Sequence, residues 1–211
     1  MAKAAAAVQS RRSTARQWNR QSCSLPTAAG DTIAVFDTSA GVFKAVLFPD
    51  KAPQAYDNFA GLVQAGYYNG LTFSRVESGF VVEAGQGVDG RGSTIWNGSR
   101  YPAETTDSLH HYSGALCMGT DASGECASVF YVMQTLPGEQ SVTRELVDQM
   151  NSAGYRAEVV SAYQTAGARL ILTTPIPCWG RCTRAWTWWM PSARPPWTKT
   201  RSPVRTSPST A

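Results

Sequence analysis

Arg75 stands in the run Phe73-Ser74-Arg75-Val76, and Gly79-Phe80-Val81-Val82-Glu83 follows at once. This short stretch supplies a permanent cation, a group of apolar side chains and a carboxylate. A guanidinium keeps its charge at any working pH and presents its donors as a rigid fork. It therefore suits fixed hydrogen-bond donation rather than proton transfer. Taken alone, an arginine after a strand is a solvated surface charge, and Phe80 with its valines is core. His110 and His111 could serve as general acid or base, but their place just before an expected strand puts them on a surface loop. Gly85, Gly87, Gly90 and Gly92 make a Gly-rich loop of the kind that cradles phosphate. No helix clearly opens after it and no Lys-Ser/Thr pair follows, so no nucleotide site is expected there. Cys178 and Cys182 lack the second ligand pair of a zinc site, and the five cysteines form no even framework. They read as reduced thiols. Asn97-Gly98-Ser99 matches a glycosylation acceptor, a pattern short enough to arise by chance.

The elements around these residues are mostly strands. Segments 32–36 and 42–48 are β-rich and are joined across Thr38-Ser39-Ala40-Gly41, which predicts a hairpin. Pro49-Asp50 stops the second strand. A helix follows with Pro53 in its first turn, where a missing N–H costs nothing. Ala55, Tyr56, Phe59, Leu62 and Val63 give it one apolar face, and Gly66 sits at its left-handed C-terminal cap. The run 71–82 alternates loosely as strand. Further strands are predicted over 114–118 and 128–134. Ser141 is expected to cap a helix over Val142, Leu146, Met150 and Ala153 that Gly154 ends, and Val159, Val160 and Tyr163 mark a shorter one. Strands with a few helices predict a mainly β fold, a barrel or sandwich capped by helices.

The charge is unevenly distributed. All 15 acidic residues lie between Asp31 and Glu158, beside only seven of the 19 basic ones, so the middle carries a net −8. The flanks hold the other twelve basic residues and no acid. Such a step separates a folded domain from other chain. We expect a basic, disordered leader over residues 1–30, a domain over 31–167, and a Trp/Arg/Pro-rich tail over 168–211. The leader's apolar run is too short for a signal peptide, and no stretch has the ~18 consecutive apolar residues of a membrane span. A cytoplasmic protein is expected, with export through a missing leader as the alternative.

Beyond these patterns, the chain resembles the cyclophilin family of peptidyl-prolyl cis–trans isomerases. The resemblance lies in Asp37-Thr38-Ser39-Ala40-Gly41, Leu47-Phe48-Pro49-Asp50-Lys51-Ala52-Pro53, Asn58-Phe59, and Gly66-Tyr67-Tyr68-Asn69-Gly70-Leu71-Thr72-Phe73-Ser74-Arg75-Val76. It continues in Gly79-Phe80-Val81-Val82-Glu83-Ala84-Gly85, Gly114-Ala115-Leu116-Cys117-Met118-Gly119 and Ser128-Val129-Phe130-Tyr131-Val132. The fold this implies is an antiparallel β-barrel with a helix over each open end, here incomplete at its C-terminal side. The resemblance assigns Arg75 as the catalytic residue. It places Phe80, Val81, Glu83, Gly119, Phe130 and Tyr131 in substrate binding, with Phe80, Val81 and Tyr131 around the proline ring and the backbone near Gly119 along the peptide. It implies no cofactor and no metal. Its implied partners are unfolded or extended proline-containing chains and cyclosporin-like ligands, bound by a monomer, with no nucleic acid or membrane. Two departures stand out. Glu83 replaces a Gln that holds the arginine in the family, and Val129 replaces a second substrate-contacting Gln. An ionised Glu83 is expected to orient Arg75 through a charge-assisted pair. The same two departures favour the alternative function, a non-catalytic proline-peptide-binding or chaperone-like module.

The tail departs from the family altogether. Five of the seven tryptophans fall between Trp179 and Trp197 without helical or strand period. Read one nucleotide earlier, Trp186-Thr187-Trp188-Trp189 decodes as the family's Met-Asp-Val-Val. With the third bases of the codons free, the same shift lets Cys178-Trp179-Gly180 encode Val-Leu-Gly and Thr206-Ser207-Pro208-Ser209 encode Asp-Val-Thr-Ile. It also turns residues 169–173 into a stretch containing the family's aromatic-Leu-Asp motif. One shift serves all four places, so the tail is expected to be out of frame from about Gly167 onwards, and the domain to lack the elements that follow.

Overall fold

The computed structural model describes residues 30–38, 41–106, 108–134, 142–166, 178–182 and 203–209. The basic leader and the tryptophans of 183–202 lie outside the described residues. Strands β1 (Thr32–Thr38) and β2 (Gly41–Leu47) pair antiparallel, with Thr38 opposite Gly41 and Thr32 opposite Leu47. Period-two alternation turns Ala34 and Phe36 inward from β1 and Phe43, Ala45 and Leu47 inward from β2. Phe36 and Phe43 face each other and stack, with ring centroids 4.5 Å apart.

Helix α1 (Pro53–Gln64) begins with its proline and buries Ala55, Asn58, Phe59 and Leu62. It ends as expected at Gly66, whose φ of 72° is the left-handed value that glycine tolerates best. There the Tyr67 N–H donates to the Leu62 carbonyl and the Gly66 N–H to that of Val63, the paired bonds of a Schellman cap. The expected single strand over 71–82 is three short ones: β3 (Leu71–Thr72), β4 (Arg75–Glu77) and β5 (Val81–Ala84). A turn closed by the Phe80 N–H on the Glu77 carbonyl separates the last two. Strand β6 (Tyr101–Pro102) is a two-residue addition that alternation could not reveal. Strands β7 (Ala115–Thr120) and β8 (Glu125–Met133) follow. Helix α2 (Arg144–Ser152) is capped by Thr143, whose hydroxyl accepts from the Leu146 N–H at 3.3 Å. Ser141, the expected cap, lies outside the described residues. Helix α3 (Ala157–Ala166) packs Val159, Val160 and Tyr163 against Met150 of α2.

Composition and motif order end the domain at residue 167, but the sheet does not stop there. Strands β9 (Cys178–Cys182) and β10 (Pro203–Ser209) both come from the tail and enter the sheet. The path runs β3-β10-β1-β2-β9-β7-β8-β5-β4, with β6 paired to β8. Its two ends, β3 and β4, are separated in sequence only by Phe73 and Ser74. Three residue steps span at most ~11 Å, so the sheet curls until its two edges meet through the chain itself. That is the mainly β, antiparallel, barrel-like architecture expected, with helices packed against it. In β10, Pro203 lies opposite Thr72 and Pro208 opposite Ala34. Neither proline has an amide N–H to give to the ladder.

The interior of this sheet is filled by Phe36, Phe43, Phe59, Tyr68, Leu116, Met118 and Phe130. Asn58 ties α1 to the sheet: its amide donates to the Ala127 carbonyl at 3.0 Å and its oxygen accepts from the Ile95 N–H at 3.0 Å.

Candidate active site

The site forms on the outer side of β4, β5, β7 and β8, where a second apolar cluster lies apart from the barrel interior. Phe80, Val81, Leu109, Ala115, Cys117 and Met133 are its buried members, with Phe48 and Tyr131 packed against them at the rim. Strand pairing brings these residues together. Val81 lies opposite Met133, Glu83 opposite Tyr131, and Cys117 opposite Tyr131 on the other side of β8. The Phe80 carbonyl accepts from the Gln134 N–H at 2.7 Å, and the Gln134 side chain accepts from the Gly79 N–H. These bonds pin the turn that carries Phe80.

Arg75 is the cation of this cluster. Its guanidinium carbon lies 5.4 Å from the centroid of the Phe80 ring, a cation–π distance, and half of its side chain remains open to solvent. Nη2 donates to Glu77 Oε2 at 2.5 Å. The carboxylate that pairs with Arg75 is therefore Glu77, two residues along on the same face of β4, and not Glu83 as expected. Glu83 does lie directly across from Arg75 in the β4–β5 ladder. Its carboxylate, however, accepts from the Ser74 hydroxyl at 3.3 Å and from the Gln86 amide at 3.4 Å. Glu77 was missed because a carboxylate on a strand edge has no motif of its own. The i, i+2 spacing from Arg75 was the available signal.

Of the other expected residues, Phe80, Val81 and Tyr131 share this cluster. Phe130 does not. It is 1% exposed and lies in the barrel interior, 5.6 Å from Phe36, 5.9 Å from Tyr68 and 6.2 Å from Phe59, centroid to centroid. Successive residues of a strand face opposite ways, so Phe130 and Tyr131 cannot both line one slot. Gly119 stands where the β7–β8 register shifts between Met118 and Thr120. A Cβ at Gly119 would come within 3.1 Å of a Val129 methyl, so these two residues abut at one end of the site.

His111 is a further correction. Expected on a surface loop, it is 6% exposed, and its Nε2 lies 2.9 Å from the Tyr131 hydroxyl. The two rings are nearly parallel, 13° apart in plane and 6.0 Å between centroids. The Gly-rich loop has a structural explanation as well. A Cβ at Gly85 would lie 2.3 Å from the Ser128 carbonyl oxygen, and its φ is 94°, so β5 can meet β8 there only without a side chain. The Ser128 hydroxyl donates to the Gly85 carbonyl at 2.7 Å and is hydrogen-bonded with the Tyr67 hydroxyl at 3.0 Å. Burial holds the Tyr67 phenol above its usual range, partly offset by that bond with Ser128. Among the described residues no group of three or more His, Cys, Asp or Glu is placed to hold a metal ion. No helix among them is long and apolar enough to cross a membrane.

A permanent hydrogen-bond donor beside an apolar cluster is what the arrangement offers chemically. Residues 33–148 match the family model described as cyclophilin type peptidyl-prolyl cis-trans isomerase/CLD. A Staphylococcus aureus protein named as a peptidyl-prolyl cis-trans isomerase is 28% identical over 139 residues, covering 65% of this chain and 68% of its own. A Streptococcus pyogenes protein named as a bifunctional phosphatase/peptidyl-prolyl cis-trans isomerase is 30% identical over 132 residues. That match spans 62% of this chain and only 27% of the Streptococcus protein. In fold, the chain is similar to the crystal structure of a cyclophilin-type peptidyl-prolyl cis-trans isomerase of Cryptosporidium parvum. The TM-score is 0.60 at 16% identity, over 86% of this chain and 99% of that one. The match to the family model alone covers more than half of the sequence, and this chain belongs to the cyclophilin-type peptidyl-prolyl cis-trans isomerase family.

Proposed function

We propose that this chain accelerates the rotation of Xaa-Pro peptide bonds in extended or unfolded polypeptides, with Arg75 as its catalytic residue. Rotation must break amide resonance against a barrier of roughly 18–20 kcal/mol, so the uncatalysed exchange takes tens to hundreds of seconds. In the twisted state the prolyl nitrogen becomes pyramidal and regains a lone pair that the planar amide lacks. A donor fixed beside that nitrogen stabilises the transition state and not the ground state, which is what lowers a barrier. No nucleophile or proton transfer is required.

One observation carries the reading: the Arg75 guanidinium lies over Phe80 at the edge of the slot formed with Val81 and Tyr131. Glu77 holds one of its donors, and the fork has others to aim at substrate. The proline ring would enter between Phe80 and Tyr131, with the residues before it running past Gly119. A second Cryptosporidium parvum cyclophilin structure was determined in the presence of the dipeptide Ala-Pro, and a proline-containing ligand suits this slot too. Cyclosporin-like ligands are proposed to compete for the same apolar surface. Action as a monomer is part of the same proposal.

The test is exchange of an Ala-Pro-containing peptide, followed by protease coupling or by NMR exchange spectroscopy, for the wild type and Arg75→Ala. Loss of one preorganised donor is expected to lower kcat/KM by about 10²–10³. A wild-type rate equal to that of Arg75→Ala would overturn catalysis and leave a peptide-binding module.

A further inference from the structure

Tyr131 forms one wall of the slot, but its strand position fixes only its backbone. On a strand a side chain can adopt more than one χ1 value, so something must set the direction of the ring. His111 is placed to do so. Its Nε2 lies 2.9 Å from the Tyr131 hydroxyl and its ring lies nearly parallel to the phenol, within 13°. His111 is itself held. It is 6% exposed, and its backbone N–H donates to the hydroxyl of Tyr163 on α3 at 3.1 Å. Tyr163 is in turn 2% exposed, packed among the α2 and α3 residues. A chain of contacts therefore runs from the helical layer through Tyr163 and His111 to the slot wall.

We propose that His111 is a positioning residue for proline binding: by bonding to the Tyr131 hydroxyl edge to edge it holds that ring in the orientation that closes the slot against Phe80. The proposal rests on the isomerase reading and extends it. His111 neither touches the substrate nor moves a proton in the reaction. A slot wall contacts the proline ring equally in the planar and the twisted peptide, so loosening it removes uniform binding. Such a loss raises KM and leaves kcat nearly unchanged.

The experiment compares Tyr131→Phe, His111→Leu, the double variant and His111→Gln, with kcat and KM measured separately on a series of Ala-Pro peptide concentrations. Tyr131→Phe and His111→Leu are each expected to raise KM about fivefold, or roughly 1 kcal/mol at 1.4 kcal/mol per decade. The double variant should be no worse than either single one, since both remove the same bond. His111→Gln, which keeps a polar group near the phenol, should return KM to within about twofold of wild type. The proposal is overturned if the two effects multiply, if His111→Leu lowers kcat with KM unchanged, or if Tyr131→Phe has wild-type KM. Thermal unfolding of each variant accompanies the kinetics. If His111→Leu does not fold, Tyr131→Phe decides alone, because it removes only one oxygen from the rim. If the wild type binds the peptide without turning it over, the isomerase reading fails by itself. The dissociation constant measured by NMR titration then replaces KM under the same criteria.

Discussion

Replacing Phe130 by alanine separates the barrel interior from the slot on its outer face. Phe130 is 1% exposed, and the rings of Phe36, Phe59 and Tyr68 surround it at 5.6–6.2 Å. Truncating such a side chain removes its transfer free energy and leaves a cavity that surrounding aromatics fill only in part, at a cost of about 3–5 kcal/mol. Against a total stability of about 5–15 kcal/mol, that is a large fraction. For a chain of this size it lowers the unfolding midpoint by about 6–20 °C, at roughly 2–4 °C per kcal/mol. Tyr131→Ala makes the opposite comparison. Its ring is only partly buried at the rim, so its removal should cost about 1–2 kcal/mol of apolar burial while taking away a wall of the slot. Calorimetry or circular dichroism gives the midpoints, and the proline-peptide assay is run ten or more degrees below the lower one. Phe130→Ala should melt early with a near wild-type KM while still folded. Tyr131→Ala should melt close to wild type with KM raised several-fold. The opposite pattern, Phe130→Ala stable and binding poorly, would place Phe130 in the slot and refute the assignment of faces along β8.

Other outcomes follow from the same geometry. Burial pushes the Cys126 thiol up to about 12, so little thiolate exists near pH 8. Iodoacetamide followed by peptide mass mapping should leave Cys126 unmodified in the folded chain and label it in denaturant; rapid native labelling would contradict its placement in the core. The Asp121 carboxyl is held below its usual range, first by the Glu125 backbone N–H, then by Ser123 and Arg100. A depressed folded value means that its contribution is present above the unfolded value of ~3.9 and fades as pH falls through the folded one. The stability gap between wild type and Asp121→Asn should accordingly be open at pH 7 and close as pH falls below the unfolded value and through the lower folded one; a gap that widens in acid would reverse the sign. For the tail, we propose that the coding sequence is shifted by one nucleotide near the codons for Gly167 and Ala168. In the restored frame threonine is expected in place of Pro208, which would return an N–H donor opposite Ala34. The restored chain should unfold at a higher temperature than this one, and an equal or lower midpoint would remove the physical support for the shift.

Much of the fold was legible because local chemistry and tertiary packing agree. The α1 helix carries its proline at the start and its glycine at C′, and its apolar face is the one that meets the sheet. The β1–β2 hairpin follows from alternation and a glycine-ended connection. Legibility failed where an element owes its existence to a partner. Strand β6 is two residues long and exists because Tyr101 and Pro102 lie alongside Cys126 and Glu125. The run 71–82 looks like one strand, yet it must bend at Phe73-Ser74, because there the two edges of the curled sheet meet. In the tail, β9 and β10 have no strand signature, and their places are set by what the neighbouring strands leave unpaired. Gly180 fits there because a Cβ would lie 2.9 Å from both Leu47 and the Val46 carbonyl oxygen.

The site was legible in its residue types more than in its contacts. Arg75, Phe80 and Val81 lie within seven residues of one another, and a tight turn brings them together. Tyr131 and Phe130 differ by one position, which on a strand is a change of face. Their assignment depends on which face of β8 meets α1 and β1, and that is decided by Phe36 and Phe59 many residues away. The same holds for charge. Glu83 sits opposite Arg75 in register, but a ladder partner offers only proximity, and Ser74 and Gln86 take its oxygens. Glu77, on the same face of the same strand, reaches the guanidinium instead. A hydrogen bond goes to the donor that arrives with the better direction, and direction belongs to the assembled sheet. His111 makes the same point from a loop: next to an identical neighbour in sequence, it alone is the one aimed at the Tyr131 hydroxyl. Residues proposed to touch the substrate can thus be found from short motifs, whereas those proposed to hold them in place are selected by the fold.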